Sequence, residues 1–326
     1  MPPADGTTTP RRSFANIFGS LTVPSGDSRG GSGRTSRRNS GLAPSSPQGR
    51  ATPPGHQGNL SVDQQKALDS LSKQLEEAGA ISLHNPPHYQ EHQLLRFLRA
   101  RNFDVNASRE MYLRSEEWKK SIDLNRLYSE FKFTERDEVA KYGWRMYFHK
   151  TDVMGRPIFI QDLSGLDAEK VFTVTTPERI IQNFAVTLEH AVRRRYHACT
   201  KAQGHNVDNN FMVLNVQGLG LGQFWTMKNK LQELLYILDN NFPELSGHVH
   251  IINAPILFST AWACIKGWLP AQTAEKISIS GSDYLPMISQ HVDLENWPAH
   301  LGGRCQCSHD SPQFACETKD HGPWNH

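Results

Sequence analysis

The stretch Leu94-Leu95-Arg96-Phe97-Leu98-Arg99-Ala100-Arg101-Asn102-Phe103-Asp104 combines an apolar helical face with closely spaced cations. At about 100° per residue, Leu94, Phe97 and Leu98 share one arc with Arg101, whereas the other two arginines point away from it. Because an unpaired guanidinium in apolar surroundings is costly, Arg101 is expected to have a partner. That partner is either a carboxylate elsewhere in the chain or an anionic ligand group such as a phosphate. A structural salt bridge, or an arginine that reaches solvent at the helix end, is the alternative without a ligand.

Further short motifs follow this stretch in order along the chain. They are His149-Lys150-Thr151-Asp152, Gly155-Arg156-Pro157, Ile251-Ile252-Asn253-Ala254-Pro255, Phe258-Ser259-Thr260-Ala261, Gly281-Ser282 and Leu301-Gly302-Gly303. With them, the chain from about Asn59 to Gly303 resembles the CRAL-TRIO lipid-binding family, and most of all the fungal phosphatidylinositol transfer proteins of the secretory pathway. Several separated matches in one order are more specific than any single motif. The resemblance implies an α/β lipid-binding domain behind a helical N-terminal subdomain.

Charge is distributed unevenly along the 326 residues, although the net charge is only +2. Residues 1–57 contain seven Arg and two Asp, a net charge of +5, which leaves −3 for the rest. A basic segment on a slightly acidic body suits an anionic surface, either a membrane or a nucleic acid. No apolar run reaches the roughly 20 residues that span a bilayer, so any membrane contact is expected to be peripheral.

Composition divides the chain into four parts. Residues 1–57 are rich in Ser, Gly, Pro and Arg and predict a disordered basic tail. Within that tail, Ser40 follows Arg37-Arg38-Asn39 and resembles a kinase site, and residues 14–21 have the spacing of one amphipathic turn, which chance also explains. Residues 58–130 predict the helical subdomain, residues 131–304 the lipid-binding domain, and residues 305–326 a C-terminal tail.

The five cysteines are sparse and odd in number, which favours a reducing compartment. Cys305, Cys307 and Cys316 lie near the C-terminus with three histidines, His309, His321 and His326. This set can in principle bind zinc, but its spacing fits no standard ligand pattern. The sequence therefore predicts a loose, reduced C-terminal tail and no metal site.

Local signals place the regular elements. Ser61 and Gln64 form a predicted capping box, and Thr176 with Pro177 predicts another helix start. Strands are predicted at 145–148, 158–161, 211–216, 249–253 and 276–279, and helices from 176 to about 198, at 224–238 and at 259–268. Strands that alternate with helices indicate a mostly parallel sheet flanked by helices.

The resemblance also implies a phosphatidylinositol headgroup site. The matching positions are Arg101, Glu244, Thr273 and Lys276. The two cations and the hydroxyl can donate to a phosphodiester, while Glu244 can accept hydrogen bonds from inositol hydroxyls and pair with Lys276. Without the resemblance, Glu244 and Lys276 would be interpreted as a solvated ion pair.

A second set of positions concerns a second ligand. Relatives that carry phosphatidylcholine present hydroxyl groups where this chain has Phe148, Phe159, Asn210 and Met212. Each unsatisfied polar group of a buried headgroup costs about 1–3 kcal/mol, so binding of choline lipids is expected to be weakened. A sterol or another largely apolar molecule becomes the expected second ligand. The alternative is that these side chains are ordinary core residues.

Residues 258–269 match the gating helix of the family. Phe258, Trp262, Ile265 and Trp268 are its large apolar residues. Tryptophans on a helix usually lie in a core, but they also suit a bilayer interface. The resemblance implies that this helix opens the lipid pocket at a membrane.

Two other classes of function have weaker support. Gly218-Leu219-Gly220-Leu221-Gly222 follows a predicted strand as a dinucleotide-binding loop does, but it lacks the usual spacing of the third glycine and does not follow the first strand. A nucleic-acid-binding function rests only on the basic tail, because the remainder of the chain is acidic. Neither an enzyme nor a nucleic-acid-binding protein is therefore expected.

The combined expectation is a non-catalytic lipid exchange protein without a cofactor. It would be a monomer that binds phosphatidylinositol, touches membranes transiently and works in the cytoplasm, on Golgi or endosomal membranes if the resemblance extends that far. The alternative is a lipid sensor or scaffold that presents phosphatidylinositol to a lipid kinase without bulk transfer.

Overall fold

The computed structural model describes residues 52–81, 87–305, 307 and 315–325. Most of the predicted basic tail lies outside these ranges, together with Ser40 and the amphipathic spacing of residues 14–21. His309 and His326 also lie outside them.

Five helices precede the sheet in the described part of the chain. They are α1 (Val62–Glu77), α2 (Pro87–Ala100), α3 (Val105–Ser121), α4 (Leu124–Glu130) and α5 (Arg136–Lys141). The predicted capping box is confirmed. The backbone N–H of Gln64 donates to the Ser61 hydroxyl, and the side-chain oxygen of Gln64 accepts a hydrogen bond from the backbone N–H of Ser61. The apolar faces of α1, α2 and α3 meet in one core that includes Leu71, Leu98 and Met111.

The sheet contains five strands within the described residues, in the spatial order β1-β2-β3-β4-β5. They are β1 (Arg145–Thr151), β2 (Pro157–Asp162), β3 (Asn210–Asn215), β4 (Ser246–Ile252) and β5 (Ile277–Ile279). The first two strands are antiparallel and the others are parallel. The predicted mostly parallel sheet with flanking helices is confirmed.

The remaining helices flank the sheet or follow it. They are α6 (Ala168–Val174), α7 (Pro177–His190), a π-helical turn (Ala191–Arg195), α8 (Tyr196–Gln203), α9 (Leu221–Asn241), α10 (Phe258–Lys266), α11 (Ala271–Glu275), α12 (Leu285–Ile288) and α13 (Ala315–Thr318). As predicted, the Thr176 hydroxyl caps α7 and Pro177 is its first residue. None of the described helices is both long and apolar enough to cross a membrane.

The expected position of Arg101 on the apolar face of α2 is wrong. The helix ends at Ala100, so Arg101 lies in the turn that follows, where Asn102 and Phe103 have positive φ angles of 50° and 63° and lead the chain out of the helix. Arg96, with 4% of the residue exposed, and Arg99, with 9% of its side chain exposed, are buried cations of α2.

The C-terminal residues from 315 to 325 pack against the domain, although a loose tail was expected. Helix α13 packs on β1, and Trp324 is buried beside the ring of Phe148. The Lys150 amide donates to the carbonyl of His321 at 2.6 Å, and Arg195 pairs with Asp320 at 2.6 Å. An aromatic anchor and a charged pair therefore hold this segment in place.

Candidate functional site

An apolar cavity lies between the sheet and the helices α9 and α10. Strand β3 contributes Met212 and Leu214 to its wall, and strand β4 contributes Val249 and Ile251. Its volume is about 190 Å³. Leucines of α9 and the residues Phe258, Trp262 and Ile265 of α10 complete the apolar wall. A cavity of this composition favours a hydrophobic ligand.

One part of the cavity wall is polar and is called the polar corner below. It consists of Asp239, Glu244, Thr273 and Lys276. The Lys276 ammonium donates to both carboxylate oxygens of Glu244, at 3.0 and 3.1 Å. The Lys276 side chain is 29% exposed and the Glu244 side chain is 20% exposed, so this ion pair is only partly desolvated. Three of the four predicted headgroup residues thus share one wall of the cavity.

Local backbone structure positions the polar corner. Glu244 follows the end of α9 with φ +59°, a left-handed conformation that is unfavourable for residues other than glycine. Lys276 caps the C-terminal end of α11, immediately before β5. Backbone strain at a residue with a chemically active side chain is a feature of functional sites, because selection keeps the side chain despite its cost.

Arg101, the fourth predicted headgroup residue, lies beside the polar corner. The Gln272 side chain on α11 donates to the Asn102 side chain at 3.1 Å, which ties α11 to the turn that carries Arg101. Burial raises the pKa of Asp239, the charge of Arg101 lowers it, and Glu244 raises it further. One Nη atom of Arg101 donates to the Ala100 carbonyl, and the guanidinium has further donors to offer.

Arg99 and Asp208 are site-supporting residues that the sequence pattern missed. Arg99 donates to Asp208 at 2.8 Å, and its Nε lies 4.0 Å from Glu244. Although burial alone raises the pKa of Asp208, Arg99 and His56 hold it well below its usual range. The two partners are 109 residues apart, so no local pattern could have paired them.

The four positions of the predicted second-ligand site are divided between two environments. Met212 lines the cavity, and its sulfur accepts a hydrogen bond from the Ser246 hydroxyl at 2.8 Å. Phe148 and Phe159 stack on each other with ring centroids 4.6 Å apart, in the core cluster beside the cavity. Arg195 lies over the Phe148 ring at 4.3 Å. The two phenylalanines therefore have the packing of core residues.

Asn210, the remaining position, is fully buried in the core. The hydroxyl of Tyr196 lies close to its amide, and burial raises the pKa of that phenol well above its usual range. Arg96 lies over the Tyr196 ring at 6.0 Å. The Tyr196 hydroxyl of α8 therefore lies next to Asn210 in the core. Reasoning about the four strand positions alone could not predict this neighbour.

The predicted gating helix is α10. Phe258 and Ile265 are buried, Trp262 faces the cavity, and Trp268 stacks on Phe224 of α9. Just before the helix, Ile256 is 97% exposed and Leu257 is 63% exposed. Two solvent-exposed aliphatic side chains therefore come immediately before α10, the helix that forms one apolar wall of the cavity.

The CRAL/TRIO domain matches residues 141–303, and the CRAL/TRIO N-terminal domain matches residues 65–114. The chain belongs to the CRAL/TRIO family. The Sec14 cytosolic factor of Schizosaccharomyces pombe is 34% identical over 273 residues, which cover 84% of this chain and 92% of that protein. The SEC14 cytosolic factor of Candida glabrata is 34% identical over 271 residues, covering 83% and 87%.

Two further comparisons concern a plant relative and a solved structure. The phosphatidylinositol/phosphatidylcholine transfer protein SFH7 of Arabidopsis thaliana is 33% identical over 241 residues, which cover 74% of this chain and 43% of that protein. Among solved structures, the crystal structure of Sfh5 superposes with a TM-score of 0.59 at 13% identity, covering 80% of this chain and 93% of that one. At that identity the structural likeness concerns the fold alone.

The backbone at Glu244 generates a stability prediction. Glu244→Gly and Glu244→Ala both remove the ion pair, but only Ala keeps a Cβ in the left-handed conformation. After allowance for the greater flexibility of unfolded glycine, Glu244→Gly should be about 1 kcal/mol more stable than Glu244→Ala in urea unfolding. The exposed helical residue Glu233 is the control, where Ala should be the more stable variant. Equal stability of the two Glu244 variants would contradict strain at this position.

Proposed function

We propose that the protein binds phosphatidylinositol and transfers it between membranes. The observation that supports this most is the polar corner, where a carboxylate, a hydroxyl and an ammonium share the wall of an apolar cavity. That combination suits an amphipathic ligand with a charged, hydroxyl-rich head and hydrocarbon chains. The phosphatidylinositol/phosphatidylcholine transfer protein of Arabidopsis is a relative whose name is consistent with such a ligand.

Arg101 and three residues of the polar corner have roles in the proposed headgroup complex. Arg101, Lys276 and the Thr273 hydroxyl donate to the phosphodiester, and Glu244 accepts from inositol hydroxyls. Lys276 is paired with Glu244 before the ligand enters, so neither charge is left alone in the wall. Because the pair is partly exposed, exchanging one partner for a phosphate oxygen costs little.

The hydrocarbon chains require the cavity to widen. Its volume of about 190 Å³ is below the roughly 300–1,000 Å³ of pockets for drug-sized ligands. Helix α10 forms one wall and is a short element, so its displacement enlarges the cavity without disturbing the central strands. We infer that α10 moves outward when a lipid enters or leaves.

Membrane contact near α10 makes that movement favourable. A lipid with about 30 buried methylenes, at roughly 0.8 kcal/mol each, does not escape into water at a useful rate. Ile256 and Leu257 project from the start of α10 and can insert between lipid headgroups. Exchange then takes place while the cavity opens directly against the bilayer.

The second ligand is proposed to be a sterol or another largely apolar molecule. Phe148 and Phe159 form a stacked aromatic pair in the core cluster beside the cavity, so those two positions offer a choline headgroup no hydroxyl. The protein would act without a cofactor or a catalytic step, as a monomer in the cytoplasm with peripheral membrane contact, and Golgi or endosomal membranes and lipid kinases are proposed partners.

The headgroup assignment is tested by identifying the lipid that co-purifies with the full chain by mass spectrometry. Phosphatidylinositol is expected, and Glu244→Ala/Lys276→Ala should lower its amount at least about tenfold, because charge-assisted hydrogen bonds contribute about 1.5–3 kcal/mol each. Lys230→Ala/Glu233→Ala removes an exposed ion pair of 3.5 Å on α9 and is the matched control. Equal phosphatidylinositol in both double variants, or a different lipid in the wild type, would refute the assignment.

The role of the residues before α10 is tested by transfer between vesicles. Ile256→Ser/Leu257→Ser should slow transfer of phosphatidylinositol at least about tenfold and leave equilibrium binding unchanged, since burying each aliphatic side chain contributes about 1.5–3 kcal/mol to membrane contact. Val153→Ser alters an aliphatic residue that is 44% exposed in the turn between β1 and β2, and is the control. Equal losses in binding and transfer would exclude a docking role, and a wild type that binds but transfers little would favour the sensor alternative.

Ligand selection is tested by parallel titration with fluorescent phosphatidylcholine and a fluorescent sterol. We expect weak binding of phosphatidylcholine and tighter binding of the sterol. Phe148→Tyr/Phe159→Tyr restores two hydroxyls and should increase phosphatidylcholine affinity about tenfold, provided that circular dichroism shows an unchanged fold. Tight phosphatidylcholine binding by the wild type would refute the proposed preference.

A further inference from the structure

Three cysteines and one histidine converge beside strand β1, away from the polar corner. Their ligand atoms, one from each of His149, Cys305, Cys307 and Cys316, lie within 4.8 Å of one another. His149 is fully buried, Cys305 and Cys316 are each 5% exposed, and Cys307 is half-buried. The histidine comes from β1, two cysteines follow the Leu301-Gly302-Gly303 motif, and the last belongs to α13.

The distances within the cluster are close to those of a four-coordinate site. The sulfurs of Cys305 and Cys307 are 3.2 Å apart, and the sulfur of Cys307 lies 3.8 Å from each ring nitrogen of His149. In a tetrahedral site with metal–sulfur bonds of about 2.3 Å, two sulfurs are about 3.8 Å apart. Movements of about 0.5 to 1 Å by these side chains therefore complete the geometry.

We propose that His149, Cys305, Cys307 and Cys316 bind one zinc ion in a structural site. Thiolate and imidazole ligands select zinc among the common cellular divalent ions, and three cysteines with one histidine are a standard structural set. All four coordination positions are filled by protein side chains, which leaves none for a substrate. The site therefore stabilises structure and is separate from lipid binding.

The proposed ion would fasten the C-terminal segment to the edge of the sheet. Cys316 belongs to α13, which packs on β1, and its thiol also lies 3.6 Å from the Cys305 carbonyl. Further along, Trp324 packs against Phe148 with ring centroids 6.4 Å apart, and its indole donates to the Asp320 carbonyl. Linking three chain segments through one ion holds this packing in place with few apolar contacts.

Metal content of the full chain, purified without chelators, is the decisive measurement. Elemental analysis should find about one zinc per chain, and cobalt-substituted protein should show thiolate-to-metal charge-transfer absorption. Cys305→Ser, Cys307→Ser and His149→Ala should each lower zinc content at least about tenfold, whereas Cys264→Ser on α10 is the matched control and should keep it. A wild type without zinc that also fails to bind added zinc would overturn the proposal.

A second measurement separates a bound ion from a disulfide and from misfolded variants. Removing zinc from the wild type with a chelator should speed amide hydrogen exchange in residues 315–325. Exchange in β3 and β4 should stay slow, because the ion fixes only the C-terminal segment. Thiol titration of denatured, metal-free protein should find all five cysteines reduced. A Cys305–Cys307 disulfide, or unchanged protection after zinc is removed, would overturn the structural role.

Discussion

The buried ion pair between Arg99 and Asp208 is the constraint on which the rest of the site depends. Arg99 lies at the end of α2 and Asp208 lies just before β3, so the pair joins the N-terminal helices to the sheet. Removing one partner of such a pair typically costs about 3–5 kcal/mol, because the other charge is left without compensation. Arg99 also approaches Glu244, and Glu244 in turn holds Lys276. The geometry of the polar corner thus follows from how α2 is anchored.

Regular structure was predictable wherever one local signal was sufficient. The capping box at Ser61 and the start of α7 at Thr176 depend only on neighbouring residues, and both are as predicted. The strands were located by short runs of apolar and β-branched residues, and their ends differ from the observed bounds by a few residues. The mostly parallel order followed from the alternation of strands with helices. The family resemblance pointed to Glu244, Thr273 and Lys276, but not to Asp239, in the polar corner.

Interactions between distant residues were not predictable from local patterns. A helical wheel assigned Arg101 to the apolar face because it assumed that α2 continues through this residue, whereas the helix ends at Ala100 and Arg101 lies in the turn that follows. Arg99 was expected to point away from the apolar arc of α2, and its partner Asp208 was not predictable because it is 109 residues away. The cysteines near the C-terminus had no recognisable ligand spacing because His149 lies 158 residues before Cys307. In each case the determining contact is made only when the chain has folded.

Separating the polar corner from α10 resolves a conflict that any lipid carrier faces. Binding must be selective, which requires fixed polar groups, and exchange must be fast, which requires a wall that moves. Here Glu244 and Lys276 follow α9 and α11 and are tied to each other, whereas Trp262 and Ile265 belong to the short helix α10. If the proposed function is correct, substitutions in the polar corner alter which lipid is carried, and substitutions around α10 alter how fast it is exchanged. The two properties can then change independently in the same fold.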